Sequence, residues 1–146
     1  MYQVRLWSAR HSCALERIYN IINPAVLVFL RATTKIFGRR LDKPITLVER
    51  TVKQFFFDCQ MCGDCVLSKT GMSCPMNCPK TIRNGPCGGV RADGMCEVEP
   101  QMRCVWVEAW DGAKRMKSGD NIKQTLLMFD HRNKGKSSWL KVARDE

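Results

Sequence analysis

The sequence predicts a small, mainly α-helical chain around an irregular domain stapled by metal clusters, with little sheet. Three observations predict it. Apolar residues recur at helical spacing up to residue 58, eight of the nine cysteines lie between Cys59 and Cys104, and glycines and prolines interrupt that stretch throughout. The chain therefore divides into a helical N-terminal docking region (1–58), a cysteine-rich domain (59–110) and a basic C-terminal helix and arm (111–146).

Ser12 is placed to cap a first helix through Ala14 to Ile22, which sets Leu15, Ile18, Ile21 and Ile22 on one face. A break is expected at "NPA". There Asn23 as N-cap and Pro24 at the first helical position start a second helix, "AVLVFLRATTKIF", which ends at Gly38. Its first half is apolar nearly all round, so some of that surface, including Leu27 and Phe29, is expected to meet a partner subunit. After the basic turn "GRRLDK", Asp42 and Pro44 open a third helix. Ile45, Val48, Val52 and Phe55 or Phe56 fall at helical spacing along it, and it delivers the chain into Cys59. "VWVEAW" at 105–110 is a short strand or helical turn packing over the sulfur loops. Asp120 is expected to cap an amphipathic segment, "NIKQTLLMFD", and "HRNKGKSSWLKVARDE" to form an extended arm anchored by Trp139 and Leu140.

The cysteines stand at 59, 62, 65, 74, 78, 87, 96 and 104. A stretch of this length without periodic apolar residues needs something other than side-chain packing to hold it. "CQMCGDC" is CxxCxxC, a ferredoxin-like spacing in which each two-residue bridge brings the next sulfur onto the same cluster. Two later cysteines precede proline, in "SCPMNCP", as does a cysteine in the bacterial ferredoxin run. Eight thiolates satisfy two [4Fe-4S] clusters without remainder. Cys59, Cys62, Cys65, Cys74, Cys78, Cys87, Cys96 and Cys104 are thus the candidate ligands. One [4Fe-4S] cluster with a zinc ion, or zinc alone, are the alternatives, since structural zinc also takes four cysteines. Zinc modules usually present two separated CxxC knuckles, whereas this run has three cysteines, which favours iron. Cys13 stands apart and is expected to be a helix core residue.

The formal charge of +10 lies on the flanks. Residues 1–58 carry ten Lys/Arg against four Asp/Glu, residues 59–110 five against five, and residues 111–146 nine against five. A neutral cysteine domain argues against a zinc-type nucleic-acid binder, and a basic surround offsets the negative charge of thiolate-held clusters. "MYQVRLWSARHSC" lacks the apolar core of a secretory signal, and the longest apolar run, "AVLVFL", is too short to span a bilayer. A reducing, cytoplasmic setting is expected, with metal-bound thiolates in place of disulfides. His11 and His131 lie in separate flanks, so no histidine-based catalytic pair is expected, and "GPCGGVRADG" follows no strand and opens no helix as a dinucleotide loop would.

From Cys59 to Trp110 the pieces "CGDC", "TGMSCPMNCPK", "RNGPCGGVR" and "CEVEPQMRCVWV" resemble the cysteine-rich small subunit, or C-terminal module, of two-subunit bacterial methylenetetrahydrofolate reductases. The resemblance implies a non-catalytic partner for a flavin-bearing barrel subunit that makes methyltetrahydrofolate. The chain would relay electrons to the flavin or brace the assembly, and a further redox subunit could join. A zinc adaptor of the same complex is the alternative.

Overall fold

The computed structural model describes residues 2–128 and 130–145. Among them five α-helices run in the order α1 (Tyr2–Arg10), α2 (Ser12–Phe37), α3 (Asp42–Phe57), α4 (Val105–Ala113) and α5 (Ser138–Asp145), with 3₁₀ turns at Pro75–Asn77, Gly119–Lys123 and His131–Asn133. Isolated antiparallel bridges at Val90–Cys96 and Met95–Arg103 represent the β structure of these residues. The mainly helical class with little sheet therefore holds.

Several elements depart from expectation. Helix α1 is new, because its buried side chains are Arg5, Leu6, Ser8 and Ala9, a mixture that no apolar periodicity betrays. The break at "NPA" is absent: α2 runs unbroken through Pro24. Proline removes the bond to the carbonyl of Asn20, yet both residues are exposed, so water can take that carbonyl. Continuity also makes α2 long and apolar enough, by length and composition, to cross a membrane, which the short run at 25–30 did not suggest. One face of it packs on α5 through Val26, Leu27 and Leu30 against Leu140 and Ala143. The expected amphipathic segment after Asp120 is only the 3₁₀ turn Gly119–Lys123, whose N-cap is Ser118, followed by extended backbone; position 129 lies outside the described residues. The arm, conversely, contains α5. Ser137 caps it, its hydroxyl accepting from the Leu140 N–H at 3.1 Å.

Hydrophobic packing is dispersed into three small clusters. One holds Leu67, Met72, Cys74 and Met116; another Cys104, Trp106, Ala109 and Leu126; the third joins α2 to α5. Buried polar side chains tie the clusters together. The Ser8 hydroxyl donates to the Phe56 carbonyl at 2.7 Å, Ser12 to the Gly112 carbonyl at 2.7 Å, and Glu16 accepts from the Lys117 and Ser118 N–H groups at 2.7 and 2.9 Å. The N-terminal helices are thus fastened directly to α4 and the turn after it.

Candidate cysteine site

Helix α3 ends where Asp58 adopts the left-handed conformation (φ 52°), and Met61 (φ 48°) and Gly63 (φ 81°) repeat the excursion. These reversals curl the CxxCxxC loop back over the end of α3. At Gly63 a side chain is doubly excluded, by its positive φ and by the Asn133 backbone, which occupies the space a Cβ would need. The segment 133–135 lies on the loop, and the Gly135 N–H donates to the Met61 carbonyl at 2.8 Å.

Cys59, Cys62, Cys65 and Cys74 line one cavity, together with Glu49 and Lys53 of α3, Arg83, Lys136 and Ser138. Cys74 arrives from the loop that enters the Pro75–Asn77 turn, which the Asn77 amide fixes by donating to the Phe57 carbonyl at 2.9 Å. The spacing alone left open which proline-flanked cysteine joins the CxxCxxC run; Cys74 lines this cavity. All nine cysteines are free. The Cys59 sulfur takes a hydrogen bond from the Cys74 thiol, which lowers the Cys59 pKa to about 6 against the opposing effect of burial; the Met61 N–H at 3.4 Å and the Lys53 charge assist. Giving that hydrogen bond, and being buried, holds the Cys74 thiol well above its ordinary value. Arg83 approaches the Cys62 sulfur at 3.9 Å while donating to the Asp64 and Leu127 carbonyls at 2.8 and 2.7 Å.

The remaining cysteines lie beyond the Pro75–Asn77 turn. Cys78 closes that turn through its N–H to the Pro75 carbonyl at 3.1 Å. The bridged segment 90–103 carries Cys96, whose N–H donates to the Met102 carbonyl at 2.9 Å, and leads to Cys104, whose N–H reaches the Gly94 carbonyl at 3.0 Å and whose residue precedes α4. Cys87 and Cys96 both act electrostatically on Lys80, which pairs with Glu97. Trp106 seals this side, its indole N–H donating to the Ile82 carbonyl at 3.1 Å. Cys13 is half-buried in α2.

Among the described residues no three His, Cys, Asp or Glu side chains converge as the ligands of one metal ion would, so the stapling expected from the sequence is not displayed by the side chains themselves. The first four cysteines are nonetheless the kind and number of donors that a cluster takes. A cube of iron and sulfide is gripped at its corners, so its thiolates stand around a space in place of meeting at a point. Here four thiols surround a space, an N–H is directed at one sulfur and cations face it. Sequence reasoning missed Glu49, Lys53, Arg83, Lys136 and Ser138. Residues 45–57 carried only a helical signal, and 131–146 looked like a polar arm.

Fold and site together define a small, helix-framed, cysteine-rich module. Residues 39–132 match the family described as methylene-tetrahydrofolate reductase C terminal, and the chain belongs to that family. No curated protein and no solved structure matches it. Helices α1 and α2 precede the matched span.

Proposed function

We propose that the chain is the iron–sulfur subunit of a methylenetetrahydrofolate reductase complex, a non-catalytic partner that relays electrons to a flavin-bearing barrel subunit. The observation that carries this reading is the space walled by Cys59, Cys62, Cys65 and Cys74 with Lys53, Arg83 and Lys136 around it. A cluster there supplies one-electron transfer, and the cations offset its negative charge. Cys78, Cys87, Cys96 and Cys104 are the four thiols left for a second cluster. Thiolate ligands need reducing surroundings, which suits a cytoplasmic protein.

The partner reading is supported by family membership and by uncovered apolar surface. On α2, Ile21, Val28, Phe29 and Ile36 are 77%, 65%, 65% and 73% exposed, and on α3 Leu47, Val48 and Phe55 are also exposed. Exposed apolar helix faces of this kind are characteristic of interaction surfaces such as subunit interfaces.

Anaerobic purification followed by metal analysis and EPR tests the assignment. A brown protein with iron and sulfide for two cubane clusters is expected, and Cys74→Ser should lose about half of that iron. A colourless protein carrying zinc would replace the electron carrier by a structural adaptor. Co-purification with a yellow flavoprotein tests the partner.

A further inference from the structure

One element of the cavity wall has no part in holding sulfur. Glu49 and Lys53, one turn apart on α3, are both buried, with side-chain exposures of 1% and 8%. Charged side chains are seldom so enclosed unless they are paired and hydrogen-bonded. These are. The Lys53 ammonium donates to Glu49 Oε1 at 2.5 Å and to the Ser138 hydroxyl at 2.8 Å, and lies 5.2 Å from the centre of the Trp139 ring. Ser138 in turn donates to Glu49 Oε1 at 2.6 Å, and Ser137 to the other carboxylate oxygen. The start of α5 therefore locks both charges in place.

The pair borders the first four cysteines. Lys53 and Glu49 line the same cavity as Cys59, Cys62, Cys65 and Cys74, and their ion pair with each other and the Ser138 hydroxyl holds both charges in its wall. Fixed charges in a water-poor wall act more strongly than at a surface, because little solvent screens them. Reduction adds a negative charge to a cluster, so a nearby cation favours the reduced form and a nearby anion the oxidised form.

We propose that Lys53 and Glu49 form a built-in charge pair that sets the reduction potential of a cluster held by Cys59, Cys62, Cys65 and Cys74, with Ser137 and Ser138 positioning it. The proposal rests on the iron–sulfur reading above. Removing the cation should lower that potential, and removing the anion should raise it. A role confined to packing would move neither in this paired fashion.

The test is a redox titration followed by EPR on the anaerobically purified full chain, with iron analysis of every sample. Lys53→Met should shift one cluster to a more negative potential, Glu49→Gln should shift the same cluster to a more positive one, and Lys53→Arg should stay near the parent value. The other cluster should not move in any of the three. Shifts of one sign, or none, at full iron content would overturn the proposal. Loss of iron from all three variants would also overturn it, since the pair would then be a folding element alone. Absence of iron from the parent protein would instead defeat the iron–sulfur reading itself.

Discussion

Glu16 holds the N-terminal helices to the turn after α4 through a single carboxylate, which accepts from two backbone N–H groups and the Ser118 hydroxyl. Burial alone would raise its pKa, but these donors and Lys117 outweigh it, so the carboxyl is held below its ordinary value of 4.5. Glu49 behaves likewise against Lys53, Ser137 and Ser138. A carboxyl with a depressed folded value stabilises the fold above its unfolded value and loses that contribution as pH falls through the folded one. Denaturant stability should therefore decline from about pH 4.5 downward. Glu16→Gln should cost about 2–3 kcal/mol at neutral pH and flatten part of that decline, measured by urea unfolding at a series of pH values. Backbone conformation sets a second limit at this scale. Gly63→Ala should cost about 2 kcal/mol or more through its positive φ and the adjacent Asn133 backbone, whereas Gly88→Ala, with open space and no positive φ, should leave thermal stability nearly unchanged.

At the scale of elements, α2 carries two opposed faces that its sequence does not distinguish. Leu27 and Phe29 both sit in the apolar run, yet Leu27 packs in the cluster of Leu30 and Leu140 while Phe29 is 65% exposed. Phe29→Asp should leave the thermal transition in place and weaken capture of the proposed flavoprotein partner, whereas Leu27→Asp should lower the transition itself by burying a charge; differential scanning fluorimetry beside a pull-down separates them. Signals that act locally were legible: Gly38 ends α2, and Asp42 with Pro44 opens α3. Signals that depend on a distant partner were not. Pro24 marked a boundary that exposure of its surroundings made unnecessary, and the polar buried face of α1 resembled a solvated one. Ser137 and Ser138, at the start of α5, looked like arm residues because their partner, Glu49, lies 88 and 89 positions away in the chain. The site was legible to the same extent. Its sulfurs announce themselves by spacing, but its charged wall comes from α3 and from the segment leading into α5, which meet only in the fold.

For the whole molecule, helices and cysteine loops depend on different forces. Contacts of α1 with α3 and α4, and of α2 with α5, join the helices directly, and the polar fastenings at Ser8, Ser12 and Glu16 reinforce them without involving a cysteine side chain. Between residues 59 and 104 regular structure shrinks to one 3₁₀ turn and isolated bridges. That stretch gains its order from tight turns and, on the proposed reading, from the clusters, because ligand binding by deprotonated thiols is itself folding free energy. Removing iron with a chelator under reducing conditions should therefore divide the molecule. Far-ultraviolet circular dichroism should keep most of its helical signal, while amide exchange quickens selectively between residues 59 and 104 and in the 133–135 strap that rests on Gly63 and Met61. Collapse of the whole helical signal would mean that the helices rely on the clusters for cohesion. Unchanged exchange in the loops would mean that the turns and small apolar groups suffice, leaving metal no structural part. Between those extremes, the expected result on the proposed iron–sulfur reading is a helical frame that outlasts its metal, so that the cysteine loops could be loaded after the chain has folded.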